Sequence, residues 1–197
     1  MLRATLLALS LAFSAPQVSA DAFDDAYNAY QRGDFLTAAK TFRKLAEQGD
    51  SVAQYNLGHM YDSGLGVSQD YAEAVRWYTR AAEQGNAGAQ FNLGVSYDNG
   101  QGVLQNHAEA VKWYRLAADQ GDADAQLNLG FSYEYGEGLP QNNIMAHMWY
   151  NLASENGAER AAEWRDERAG LMTAADIAKA QALAWECLNS GYENCGD

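Results

Sequence analysis

Gln54–Tyr55–Asn56–Leu57–Gly58 returns as Gln90–Phe91–Asn92–Leu93–Gly94 and again as Gln126–Leu127–Asn128–Leu129–Gly130, each time after a step of 36 residues. Outward from this stretch, Trp77–Tyr78, Trp113–Tyr114 and Trp149–Tyr150 keep the same step, as do the pairs Gly64/Gly66, Gly100/Gly102 and Gly136/Gly138. A fixed period of roughly 20–50 residues marks a solenoid, in which each unit buries its apolar face only by stacking on its neighbours. Within a unit the apolar spacing is helical. Ala53, Leu57 and Tyr61 fall four apart, predicting a helix over Ser51–Ser63. Ala74, Trp77, Tyr78 and Ala81 mark the buried side of a second helix over Tyr71–Gln84. No stretch alternates with period two, so the expected class is all-α: an α-solenoid of antiparallel helix pairs.

The punctuation agrees. Asp70 with Glu73, and Asn106 with Glu109, have capping-box spacing. Gly49, Gly85, Gly121 and Gly157 stand where a helix ends in a left-handed turn, and Asp50, Asn86 and Asp122 follow at once as caps of the next helix. The loop inside each unit is longer. Its Gly-x-Gly lacks the third glycine and preceding strand of a dinucleotide site and reads as two flexible positions. Before the repeats, 22–32 and 35–48 read as a shorter pair of helices. After them, Ala158–Gly170 and a last helix from the Thr173/Asp176 cap toward Leu188 bring the expected number to about ten.

Four segments result. Residues 1–20 read as a secretory signal peptide: Arg3, the apolar run Ala4–Phe13, then Val18–Ser19–Ala20 before Asp21. The run is shorter than the about 20 residues a spanning helix needs, and no cysteine lies there to carry a lipid, so no stable membrane anchor is expected. Residues 21–50 form a helix pair, 51–157 the three repeats, and 158–197 degenerate capping helices. Cleavage after Ala20 is of bacterial type and implies a periplasmic or secreted protein. Removing Arg3 with the signal takes the net charge from −13 to −14. So acidic a chain repels nucleic acid and anionic membranes and suits a basic or apolar protein or peptide partner, although solubility alone explains it equally.

The two cysteines, Cys187 and Cys195, form a disulfide in an oxidising compartment. Eight helical residues rise about 12 Å, too far for a bridge that needs Cα atoms within about 7 Å, so the chain turns between them, with Gly191 as the break. This reads as a clamp on the C-terminal end. The spacing is not the Cys-x-x-Cys of a redox pair.

Signals for catalysis are absent. His59, His107 and His147 lie in different repeats at non-equivalent positions, and no pair has metal-ligand spacing. There is no Gly-x-Ser-x-Gly elbow and no Ser-x-x-Lys. Acid pairs such as Asp24–Asp25 read as solvated faces. No enzyme, cofactor or metal is expected.

The Gln-x-Asn-Leu-Gly motif, the Gly-x-Gly loop and the Ala-x-x-Trp-Tyr helix together resemble the Sel-one-like repeat family, a relative of the tetratricopeptide repeat with a longer inner loop. The resemblance covers about Asp34 to Ser190. Met148–Ala153, Met172–Thr173 and Ala180–Gln181 resemble the C-terminal unit of bacterial members, while Tyr30–Phe35 is closer to an ordinary tetratricopeptide hairpin. The resemblance implies an adaptor or regulator in the bacterial envelope, binding a protein through the first helix of each pair. By position, the groove would then hold Val52, Tyr55, Asn56, His59, Asp62 and Ser63, next Phe91, Asn92, Val95, Asp98 and Asn99, and last Leu127, Asn128, Phe131, Glu134 and Tyr135. Two readings stand for the Asn56/Asn92/Asn128 row: clamps on a peptide, or partners of neighbouring backbone groups. Tyr55, Phe91 and Phe131 are likewise either contact residues or core. A carboxylate clamp would need a lysine or arginine that these helices lack. A cysteine-rich branch of the family acts on β-lactams, which leaves a β-lactam-binding or hydrolytic protein as the alternative, but that branch has a cysteine pair in every repeat.

Overall fold

A computed structural model describes residues 20–193 and 195. The signal-peptide segment expected at 1–20 thus lies, but for Ala20, outside the described residues. Ten helices follow one another: α1 (Ala20–Gln31), α2 (Phe35–Glu47), α3 (Ser51–Ser63), α4 (Tyr71–Glu83), α5 (Ala87–Asn99), α6 (His107–Ala118), α7 (Ala123–Tyr135), α8 (Asn143–Glu155), α9 (Ala161–Ala169) and α10 (Ala174–Asn189). Each of α1 to α8 packs on the next, and α10 returns to pack on α8. There are no strands among the described residues. The fold is the α-solenoid that the repeats predict. We call α3, α5 and α7 the A helices and α4, α6 and α8 the B helices.

The termini obey the caps. Asp50, Asn86 and Asp122 accept from the backbone N–H groups of Ala53, Ala89 and Ala125. In front of them Gly49, Gly85 and Gly121 take φ of +98°, +88° and +83°. The N–H of Asp50 reaches back to the Leu45 carbonyl at 3.2 Å, closing a left-handed turn with no spare residue. The capping boxes form only by half. Asp70 and Asn106 cap their helices, but Glu73 and Glu109 turn forward to Arg76 and Lys112 at 2.6 and 2.5 Å. A charged partner one turn on outcompetes a single backbone N–H. Elsewhere the ends shift by a residue or two. The larger difference is α9, which begins at Ala161 rather than Ala158, because Arg160 takes a positive φ of 64°.

The inner loops are not flexible connectors. Gly66, Gly102 and Gly138 each lie on the backbone of the preceding B-type helix; a Cβ on Gly102 would stand 2.3 Å from the Tyr71 carbonyl oxygen. Gln69, Gln105 and Gln141 each donate at 2.7 Å to a carbonyl near the end of their own A helix: Asp62, Asp98 and Glu134. Each loop is therefore fastened at both ends. This corrects the reading of Gly-x-Gly as slack.

Two periodic contacts hold the stack. Gly58, Gly94 and Gly130 face the rings of Tyr78, Tyr114 and Tyr150 so closely that a Cβ would meet them at 2.7, 2.6 and 2.3 Å. Gln54, Gln90 and Gln126 are buried and donate to Ala46, Ala82 and Ala118 at the end of the preceding helix, at 3.0–3.1 Å. The same side chains accept from Gln84, Gln120 and Asn156 at the end of their own B helix, at 2.7–2.8 Å. One amide thus ties three helices, and a buried amide is stable only with both its ends satisfied.

Candidate functional site

Of the B helices, α4 and α6 bury one face and carry lysine and arginine on the other, while α8 is buried over most of its length. The A helices differ. Ala53, Leu57 and Met60 of α3 are buried, as are Ala89 and Leu93 of α5 and Ala125 and Leu129 of α7. Yet Tyr55, His59, Phe91, Val95, Leu127 and Phe131, pointing elsewhere, are only half-buried. These helices carry Asp62, Asp98, Asp124 and Glu134 but not one lysine or arginine, whereas α4 and α6 carry Arg76, Arg80, Lys112 and Arg115. The repeat thus sorts charge: the A helices carry acids and aromatics with no cation, whereas α4 and α6 mix cations with the acids Glu73, Glu83 and Glu109.

The A-face residues fall into rows at the 36-residue step. In the asparagine row, Asn92 lies beside the hydroxyls of Tyr55 and Tyr78, and Asn128 beside that of Tyr114. Burial is the main cause that raises the pKa of all three phenols, with nearby acids adding to it. The step that relates Tyr78 and Tyr114 leads back to Phe42, which has no hydroxyl, and Asn56 instead donates to the Val52 carbonyl at 2.8 Å. The row therefore engages the preceding repeat where a tyrosine is available.

The acidic row is divided by its surroundings. Asp62 and Asp98 remain part-exposed. Asp98 meets the His107 Nδ1 at 2.6 Å and receives a long contact from the Tyr114 hydroxyl at 3.5 Å. Glu134 is buried; it accepts from the Tyr150 hydroxyl at 2.5 Å and forms an ion pair with Arg168 of α9. Trp164 of α9 stands edge-on to Phe131 at 5.4 Å. Expected to face a partner, Glu134 instead faces α9, which meets α7 as the next member of the row. At the other end His59 meets Tyr30 of α1 at 6.4 Å. The open part of the A face thus runs from α3 to α7, bounded by α1 and α9.

Two clefts lie away from this face. One, of about 450 Å³, is lined by Leu36, Lys40, Arg43, Lys44 and Val67. The other, of about 430 Å³, lies between Arg43, Tyr61, Glu73, Arg76, Trp77 and Arg80. Both are open and lie near the N-terminal end.

The structure also brings together Asp98, His107 and Glu137, whose ligand atoms all lie within 4.8 Å of one another. Sequence spacing did not show this cluster, since its members are nine and thirty residues apart and belong to two repeats. Cys187 and Cys195 are bridged, with Cα atoms 4.5 Å apart, across the turn at Gly191.

This architecture defines a helical-repeat protein whose surface, rather than a cavity, is shaped by its period. Residues 51–86, 87–122 and 123–157 each match the Sel1 repeat, and the chain belongs to the Sel1 repeat family. It is similar to the crystal structure of a Sel1 repeat protein from Oxalobacter formigenes, with 32% identity, a TM-score of 0.67, and coverage of 87% of this chain and 75% of that one. It is also similar to a protective antigen of uropathogenic Escherichia coli strains that displays an SLR fold, with 30% identity and a TM-score of 0.54; there the match covers 87% of this chain but 46% of the other. No curated protein matches the sequence. Proteins of this repeat class are generally interaction scaffolds that bind protein partners and are not catalysts.

Proposed function

We propose that this protein is an extracytoplasmic interaction scaffold that binds an extended or helical peptide segment of a partner protein along its A face. The carrying observation is the sorted surface: half-buried apolar and aromatic side chains at a fixed step, accompanied by acids and by no cation. Such a face matches basic and apolar side chains, the acids steering the encounter and the aromatics contributing area. The disulfide supports an oxidising compartment. No helix among the described residues is long and apolar enough to cross a membrane.

The test is affinity capture from a bacterial envelope extract with three baits: the native protein, a variant with Asn56, Asn92 and Asn128 changed to Ala, and a variant with Val52→Lys and Tyr135→Lys. Val52 and Tyr135 are 44% and 60% exposed, so the lysines place positive charge on the face without entering the core. A protein retained by the native bait and lost from both folded variants supports the reading. The same proteins on all three baits would place binding elsewhere and overturn it.

A further inference from the structure

We propose that Asp98, His107 and Glu137 form a binding site for one divalent transition-metal ion, of the Zn²⁺ class, at the junction of the second and third repeats. The fold converges the three side chains by two constraints that exist for other reasons. The inner loop of the second repeat is drawn back over its A helix by the Gln105 bond to the Asp98 carbonyl at 2.7 Å and the Asn106 N–H bond to the Tyr97 carbonyl at 2.8 Å. This sets His107, the first residue of α6, against Asp98, with Nδ1 to Oδ1 at 2.6 Å. The loop of the third repeat then docks on α6: Gly138, with φ of +76°, lies so close that a Cβ would stand 2.3 Å from the His107 carbonyl oxygen. Glu137 precedes that glycine and is carried to the same place.

The set suits a particular cation. Bonds of about 2.0–2.2 Å at a tetrahedral ion set its donors about 3.4 Å apart, so binding turns the exposed Glu137 carboxylate inward and opens the His107–Asp98 pair from 2.6 Å to admit the ion. An imidazole with two carboxylates favours Zn²⁺ or its transition-metal neighbours, whereas Ca²⁺ demands six or more oxygens and Mg²⁺ a strict octahedron. Two carboxylates neutralise the dication, and the dication removes their mutual repulsion. Asp98 and His107 keep about a third of their side-chain surface exposed, at 34% and 38%, so the remaining coordination position opens outward to water or to a partner's ligand.

The repeats supply an internal control. One step back the three positions hold Asp62, Tyr71 and Gln101, and two steps back Ala26, Phe35 and Leu65. One step forward Glu134 is taken by Arg168, and Asn143 stands in the histidine position. Of these junctions, one alone brings three ligands together. The proposal does not rest on the groove reading and is tested without any partner protein.

The experiment is calorimetric titration of ZnCl₂ into untagged, chelator-stripped protein, with CaCl₂ titrated in parallel. One equivalent of Zn²⁺ should bind, His107→Ala and Asp98→Asn should each weaken it at least tenfold with unchanged circular dichroism, and Ca²⁺ should give no saturable heat. Because those variants could act through the local fold, a gain is also tested: Tyr71→His with Gln101→Glu beside the native Asp62 should add a second equivalent. No Zn²⁺ binding by the native protein, or binding by His107→Ala equal to the native, would overturn the site. So would several weak equivalents that His107→Ala leaves unchanged, the mark of scattered surface carboxylates.

Discussion

His147 stands where the two preceding repeats have Val75 and Val111, and it keeps their burial, with 2% of its surface exposed and its Nδ1 without a hydrogen-bond partner. The ring is held neutral. Its pKa lies below the ordinary 6.5, chiefly because burial disfavours the charged form, with Arg165 acting in the same direction. The sign follows. As pH falls through about 6.5, the unfolded chain takes up a proton that the folded protein refuses, so stability present at neutral pH is lost on acidification. His147→Val, which restores the residue of the other repeats, should therefore reduce the fall in melting temperature between pH 7.5 and pH 5. Equal falls in the two proteins would show that another group governs the acid response. The same attention to single positions separates Asn56 from Asn92 and Asn128: one missing hydroxyl at Phe42 turns its amide back on its own helix.

Among the elements, the C-terminal hairpin departs furthest from the repeat. α10 buries Ala180, Ala184 and Cys187 in the core cluster that holds Met148, Trp149 and Leu152. Gly191 and Tyr192 then take φ of 65° and 70°, and the Tyr192 N–H returns to the Cys187 carbonyl at 2.9 Å. The turn places the Tyr192 hydroxyl against the Asn156 side chain at 2.8 Å, so the bridge secures a contact with the third repeat as well as closing a loop. A loop this short contributes about 2–3 kcal/mol. Reduction should speed amide exchange at the end of α10 and around Tyr192 while far-UV helicity stays unchanged, since Cys187 remains packed without its bridge. Loss of helicity across α1–α8 on reduction would contradict the clamp. The element boundaries follow the same logic: α9 starts late because the chain turns through Arg160 before it meets α7.

For the whole molecule, a solenoid has no contacts between distant units, so damage should spread by neighbours. Gly94→Leu puts a branched side chain where even a Cβ would meet the buried Tyr114 ring at 2.6 Å. Overpacking of about 1–3 kcal/mol outweighs the about 1 kcal/mol of helix propensity that replacing glycine returns. We expect a lower melting temperature and faster amide exchange, largest in α5 and α6 and fading toward α1 and α10. An unchanged melting temperature, or exchange raised equally everywhere, would count against the stacking.

Much of the architecture was legible because it repeats. A motif recurring every 36 residues, with a capping residue after each terminal glycine, determines helix pairs, their order and their tight junctions through local rules. The turn demanded by Cys187 and Cys195 was legible from helical rise alone. What the repeat could not show is what breaks it or crosses it. Glu134 is equivalent to Asp62 and Asp98 in sequence, but Arg168 and Trp164 arrive from a helix that follows no repeat pattern and cover its end of the face. Asp98, His107 and Glu137 meet because the loop of the third repeat docks on the backbone at the start of α6, a contact between segments thirty residues apart. Local propensity and spacing act over a turn or two of chain and so decided the elements. Burial, close approach and charge pairing act through space, and only the stacked structure decided which equivalent residues would face solvent, a neighbour or one another.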